Sequence, residues 1–300
     1  MSDPKTKCGV VAVIGAPNAG KSTLVNQLVG QKVAITSAKA QTTRARMLGI
    51  ALHGDTQMVL VDTPGIFSPK RKLDRAMVSA AWDGTESADA VLLMVDPIKQ
   101  RRHELEPLVE ALAKRPERKI LVLNKVDAAK KEPLLALAQE LGEKVEFAEV
   151  YFVSALTGDG VPELKEALAA MMPEGPWMYP EDQVSDASER LLATEITREQ
   201  LYKQLHEELP YDSAVRPEKY VQRPDGSVEI HQQIVVMRDN QRAIVLGKGG
   251  SRIKAIGQAA REELSELLGQ KVHLFLHVKT DERWSEDKEM FEEMGLEWKG

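Results

Sequence analysis

The sequence predicts an α/β domain built on a mainly parallel sheet with helices on both faces, followed by a smaller α+β module. Three observations predict it. In the first half, short apolar runs alternate with amphipathic stretches, the pattern of successive βα units. The runs are continuously apolar rather than alternating, as strands covered on both faces are. Past a break at residues 173–180, which holds three prolines and a glycine, the order of elements changes and the βα rhythm stops.

The strands of the first half fall at residues 9–14, 58–61, 91–95, 120–123 and 150–153. Helices fall between and after them, at 21–28, about 72–85, 104–114, 132–141 and 161–171. The second half opens with a helix that carries Leu191, Ile196, Leu201, Leu205 and Leu209 near one face. Extended runs at 214–222 and 228–237 follow, joined by the turn signal Pro224-Asp225-Gly226. A tight glycine turn at 247–250, a helix to about 268, a strand at 272–278 and a short acidic helix at about 286–294 complete it. These elements divide the chain into a first domain at 1–175, a linker at 176–185, a second domain at 186–284 and an acidic tail at 285–300, to which no role is assigned.

Composition bounds the function classes. With 300 residues, 43% of them hydrophobic and 29% charged, the chain has material for about two packed domains. The single cysteine, Cys8, cannot form an internal disulfide or a zinc site, which points to a reducing compartment. No apolar run approaches 18 residues and the first residues lack a signal-peptide core, so a cytoplasmic protein is expected. The net charge is −6. Residues 181–300 carry 17 basic and 24 acidic residues, a net −7, against +1 for residues 1–180. No global basic field draws nucleic acid, DNA is not an expected partner, and any RNA footprint must be a local cluster.

Such chemistry as the chain carries begins at the end of the first strand. Gly15-Ala16-Pro17-Asn18-Ala19-Gly20-Lys21-Ser22 fits G-x-x-x-x-G-K-[ST] and runs from strand into helix, with Thr23 next inside. Backbone N–H groups of such a loop face phosphates, the lysine reaches the β and γ phosphates, and the serine hydroxyl binds Mg²⁺. Downstream, Asp62-Thr63-Pro64-Gly65 puts a carboxylate at a strand end for the Mg²⁺ shell and an N–H at Gly65 for the γ-phosphate. Asn124-Lys125-Val126-Asp127 ends the next strand but one. Asp127 can accept both guanine N1–H and N2–H, which adenine does not supply, while the Lys125 stem covers the base. Ser154-Ala155-Leu156 can present an N–H to guanine O6. All four segments sit at carboxyl ends of strands, where open α/β sheets bind ligands. They define a GTP site on a Ras-like P-loop fold.

Two details set the expected mechanism. In Gln41-Thr42-Thr43-Arg44, a threonine should complete the Mg²⁺ sphere in the GTP state; Thr43 is assigned and Thr42 is the alternative. Ile66 stands where Ras-like enzymes carry a water-orienting glutamine, and it cannot hydrogen-bond a nucleophile. Hydrolysis should therefore be slow alone and lean on backbone groups, a partner or a cation. Asn18 in the phosphate loop is well placed to hold K⁺. The candidate catalytic groups are Lys21, Gly65, Asn18 and Thr43, and the metal ligands are Ser22, Thr43 and Asp62.

The second module holds Val245-Leu246-Gly247-Lys248-Gly249-Gly250-Ser251-Arg252-Ile253-Lys254, a G-x-x-G loop flanked by apolar residues and followed by a helix. KH modules clamp a single-stranded backbone in this way, with bases laid on an apolar groove. Arg238, Arg242, Lys248, Arg252 and Lys254 against Asp239 make residues 238–254 net +4 inside the acidic half. The candidate RNA-binding residues are Arg238, Arg242, Gly247, Lys248, Gly249, Gly250, Ser251, Arg252 and Lys254. The run Arg101-Arg102-His103 reads as a solvated loop.

Taken together, these motifs resemble the Era family of bacterial GTPases, within the TrmE-Era-EngA-like class, with a type II KH domain behind the GTPase domain. The resemblance runs from about residue 7 to 284. Besides the motifs above it is carried by Ile35-Thr36-Ser37, Glu195-Ile196, Arg198-Glu199 and Glu208-Leu209-Pro210-Tyr211. It implies binding of the KH domain to the 3′ end of 16S ribosomal RNA, a role in maturing the 30S subunit, and GTP favouring the RNA-competent arrangement. It further implies K⁺-assisted hydrolysis through Asn18 and a peripheral membrane association that the composition does not support. A nucleotide-sensing adaptor that barely hydrolyses GTP is the second reading, kept open by Ile66. An RNA-modifying accessory GTPase is the third, and the lone Cys8 does not suit it.

Overall fold

A computed structural model describes residues 6–37, 39, 42–44, 46–69, 71–99, 102–206, 209–294 and 296–298. Gln41, Arg101 and Glu208, which the sequence analysis singled out, lie outside them. The chain divides into two compact units, Met1–Asp186 and Ala187–Gly300.

The first unit is a six-stranded sheet in the order β2-β3-β1-β4-β5-β6. Its strands are β1 (Lys7–Gly15), β2 (Met47–His53), β3 (Thr56–Asp62), β4 (Ala90–Val95), β5 (Lys119–Leu123) and β6 (Glu149–Phe152). All neighbours are parallel except the β2–β3 pair. The sequence analysis did not identify β2. Its signal was the two-residue Gly54-Asp55 turn between two apolar runs, with Gly54 at φ 54°, as hairpin turns require.

Successive side chains of a strand point to opposite faces, and here both faces are covered. On one, Val11, Val13, Leu92 and Val122 pack with Leu24 and Leu28 of helix α1 (Lys21–Val29) and with Leu164 and Leu168 of α5 (Val161–Met171). On the other, Ala12, Ile14, Leu93 and Leu121 meet Leu108 and Leu112 of α3 (Arg102–Ala113) and Leu134 and Leu141 of α4 (Lys131–Lys144). Helix α2 (Lys72–Asp83) completes the unit. Double coverage is the reason the strands read as unbroken apolar runs.

Two expectations change. Arg102 is the first residue of α3 and pairs with Glu140 of α4, so this part of the charge run is helical rather than loop. Residues 176–185, expected as a linker, lie against the sheet edge. The buried Gln57 amide donates to the Tyr179 carbonyl and accepts from the N–H groups of Met178 and Tyr179. Ile50 N–H donates to the Val184 carbonyl at 2.8 Å and Ser185 Oγ to that of Leu48.

The second unit carries a three-stranded sheet in the order β7-β8-β9, from β7 (Ser213–Gln222), β8 (Val228–Val236) and β9 (Val272–Thr280). β7 runs antiparallel and β9 parallel to β8. Helices α6 (Glu189–Gln204), α7 (Asp239–Leu246) and α8 (Ser251–Leu268) cover one face, with Leu201, Val245, Ile256, Ile234 and Val236 in the core. Helix α7 was missing from the sequence reading. The tail is part of the packing: helix α9 (Lys288–Glu293) buries Met290 and Phe291, and Arg216 of β7 pairs with Asp287 and Glu293.

Candidate functional site

The turn after β1 wraps around the Lys21 ammonium. Nζ donates to the carbonyls of Gly15 and Ala16, at 3.2 and 3.1 Å. Burial pulls this ammonium down from 10.5 to about 8, against the opposing pull of Asp62, so it is a cation held ready beside a cleft that wants an anion. That cleft is lined by Asn18, Lys21, Ser22, Thr36, Thr43 and Gly65, among others.

At its floor three oxygens meet. Ser22 Oγ donates to Asp62 Oδ2 at 2.6 Å, lies 2.8 Å from Thr43 Oγ1, and the Thr43 hydroxyl reaches Asp62 Oδ2 at 3.3 Å. Two hydroxyls and one carboxylate form a small, hard oxygen set that suits Mg²⁺, which keeps water in its remaining positions. Thr42 also lines the cleft, and its hydroxyl donates to the Lys39 carbonyl at 2.8 Å.

Gly65 passes over the phosphate loop so closely that a Cβ on it would stand 2.7 Å from Pro17 N, and only glycine permits that approach. Ile66 N–H then donates to the Gly15 carbonyl at 3.0 Å while its side chain packs into the core. Thr63 Oγ1 donates to the Val13 carbonyl, and Pro64 is buried beside it.

The other strand ends are tied to the same loop. Asn124, 2% exposed, donates from Nδ2 to the Ala19 carbonyl at 2.8 Å and accepts the Ala155 N–H at 2.9 Å. Val126 N–H donates to Val153. Asp127 is exposed, with its carboxylate clear of the core, and Leu156 is 76% exposed beside the buried Ser154. The geometry thus gathers residues from four strand ends around one cleft, with a cation, an oxygen trio and an outward carboxylate. One residue the sequence analysis missed stands among them: Asp96, at the end of β4, pairs with Lys125 at 2.5 Å. The signal was available, since Val95-Asp96 is also a strand's carboxyl end.

In the second unit, Gly247–Gly250 joins α7 to α8. Gly247 takes φ 71°, and a Cβ there would lie 2.8 Å from Arg252 Cβ, so the turn requires glycine. Lys248, Gly249, Ser251 and Lys254 are exposed, Gly250 and Arg252 half-buried, and Arg238 and Arg242 exposed at the start of and along α7. Ile244 of α7, 47% exposed, adds an apolar surface that the sequence analysis did not single out.

The fold and the two sites define a P-loop GTPase joined to a KH-type RNA-binding module. Comparison with known proteins agrees: a family model described as a 50S ribosome-binding GTPase matches residues 10–125, and a KH domain model matches 208–285. The chain is 81% identical to GTPase Era of Erythrobacter litoralis over 99% of both chains, and 57% identical to GTPase Era of Afipia carboxidovorans over 98% of this chain and 95% of that one. A solved structure of Era with MgGDPNP and nucleotides 1506–1542 of 16S ribosomal RNA superposes with a TM-score of 0.91 at 38% identity, covering 97% of this chain and 99% of that one. A variant of Aquifex aeolicus Era bound to GDP·AlF4⁻ gives 0.91 at 37%, with the same coverage. The chain belongs to the Era GTPase family.

Proposed function

We propose that this protein hydrolyses GTP to GDP and phosphate and binds the 3′ end of 16S ribosomal RNA, assisting maturation of the 30S subunit with its nucleotide state gating RNA binding. The observation that carries this reading is the coexistence, in one chain, of the Lys21–Asp62–Asn124 assembly with the Gly247–Gly250 turn between two helices. The relative solved with a GTP analogue and 16S RNA supports both halves.

In this reading Lys21 neutralises the β and γ phosphates, and Gly65 donates its N–H to the γ-phosphate. Asp127 selects guanine, Lys125 covers it, and a backbone N–H of the Ser154-Ala155-Leu156 segment meets O6. Ser22, Asp62 and Thr43 would hold Mg²⁺, which would supply charge compensation to the phosphates. Ile66 has nothing with which to orient water, so main-chain groups take that part, Asn18 would hold a K⁺ that supplies further charge compensation, and the unassisted rate is slow. Arg238, Arg242, Lys248, Arg252 and Lys254 meet the RNA backbone while Gly247, Gly249 and Gly250 let it approach.

Single-turnover GTP hydrolysis in potassium, with and without the RNA 3′ fragment, tests the reading. Turnover that rises with RNA supports it; binding of both ligands with no turnover in either state supports the nucleotide-sensing adaptor, which the Ile66 side chain favours. A peripheral membrane fraction, beside a cytoplasmic one, is a separate part of the proposal and is read by vesicle co-sedimentation. Among the described residues no helix is long and apolar enough to cross a membrane.

A further inference from the structure

Asp96 closes β4 and is 4% exposed. Its Oδ1 accepts the N–H groups of Ile98 and Lys99, at 2.9 and 3.1 Å, which fixes the turn after the strand. Its Oδ2 does something else. It faces Lys125 Nζ at 2.5 Å, and the same Nζ donates to the main-chain carbonyl of Asn18 at 3.0 Å. One ammonium therefore links the ends of β4 and β5 to the phosphate loop. Its own residue and the loop residue it holds are also the two non-glycine residues at positive φ among those described: Lys125 and Asn18, both at 63°. Such conformations persist only where the surroundings over-determine them. Burial alone would raise the Asp96 carboxyl, but the hydrogen bonds from Lys125 and from the two turn N–H groups, with the Lys125 charge, hold it below the usual carboxylate range. It is an anion at neutral pH.

We infer that Asp96 is a positioning residue of the nucleotide site, which through Lys125 locks both the base-covering lysine stem and the main chain of Asn18 into their left-handed conformations. Both of its carboxylate oxygens are taken up by protein groups. The inference rests on the reading of the cleft as a guanine-nucleotide site. Without the anion, Lys125 is free to point elsewhere, the competent arrangement becomes a fraction of the population, and apparent affinity falls by that fraction.

Asp96→Asn separates this role from the turn. The amide keeps an Oδ1 to accept the two N–H groups, but it loses the charge and offers only an N–H₂ to the ammonium. In the full-length protein, titrated with a fluorescent GDP analogue, the variant should bind about tenfold more weakly, the scale of one charge-assisted hydrogen bond. Its nucleotide-free melting temperature should fall by only about 2–4 °C, because one ion pair is lost while the turn's hydrogen bonds are kept. In a Lys125→Met background the same substitution should have no further effect on affinity, because its intermediary is gone. Native affinity in Asp96→Asn, or an equal loss in the Lys125→Met background, overturns the inference and leaves a turn cap only. If Asp96→Asn does not fold, Asp96→Ser, whose hydroxyl also accepts turn N–H groups, carries the same comparison. A wild-type protein that binds no GDP would instead overturn the guanine-nucleotide reading itself.

Discussion

Raising the pH from 7 to 9 should weaken GDP binding about tenfold, and the cause is one side chain. Lys21 must be an ammonium to meet phosphate, yet burial lowers it from 10.5 to about 8 in the nucleotide-free protein. About nine-tenths of molecules carry the charge at pH 7 and about one-tenth at pH 9. Bound phosphate holds the ammonium charged across that range, so the apparent Kd grows as the charged fraction shrinks. The sign is fixed: affinity falls as pH rises, and binding takes up roughly half a proton at pH 8. The same burial costs the empty fold roughly 3 kcal/mol below pH 8, a cost that disappears by about pH 10.5 because the folded value lies below the unfolded one. Fluorescence titrations at pH 7, 8 and 9 give the Kd series. Calorimetry in two buffers of unequal ionisation enthalpy gives the proton count. Stopping at pH 9 keeps the N1–H of guanine mostly intact. A Kd that stays flat, or binding that releases protons, would refute this reasoning.

Exchanging potassium for sodium should slow GTP hydrolysis, and Asn18→Ala should erase that difference while GTP binding persists; equal wild-type rates in both salts would leave RNA or a protein activator as the source of catalysis. Lys248→Asp combined with Gly249→Asp should abolish RNA binding in a filter or mobility assay with little change in melting temperature. The turn is exposed and a Cβ on Gly249 meets open space, although its φ of 61° adds some strain, and each lost phosphate contact is a salt-dependent loss. Normal RNA affinity in that folded variant would move the RNA site elsewhere.

Residue patterns disclosed the residues that line the cleft because they stand together in short motifs at strand ends, and strands buried on both faces announce themselves as apolar runs. They disclosed less where local sequence is ambiguous. Strand β2 is apolar like a helix segment and was betrayed only by Gly54-Asp55. Helix α7 is eight residues long and mostly exposed, too short for a 3.6-residue period to stand out. The tail reads as acidic, yet Met290, Phe291 and Leu296 are buried. Three apolar residues spaced among carboxylates are enough to dock it, and composition averages them away. Asp96 escaped because a strand's carboxyl end marks a place, but a lone aspartate there matches no motif; its role exists only once Lys125, 29 residues on in the chain but at the end of the neighbouring strand, is beside it.

Within Asn124-Lys125-Val126-Asp127, the proposed function divides scaffolding and ligand reading between different residues, and two substitutions should expose the division. Asn124 spends its amide on the protein: one end holds the Ala19 carbonyl and the other the Ala155 N–H. Asn124→Ala leaves both groups buried without that partner, at about 1–3 kcal/mol each. A loss of roughly 2–6 kcal/mol in urea unfolding of the nucleotide-free protein is therefore expected, with guanine preference kept in whatever remains folded. Asp127 is exposed and braces nothing in the core. Asp127→Asn should unfold like wild type while exchanging guanine for xanthine nucleotides, since its amide N–H faces the xanthine carbonyl that replaces the guanine amino group. Guanine affinity should drop on the order of 10²–10⁴-fold. If Asn124→Ala proves as stable as wild type, the braces carry no weight and the motif's first residue must act on the nucleotide. If Asp127→Asn keeps full GTP affinity, this strand end does not read the base at all.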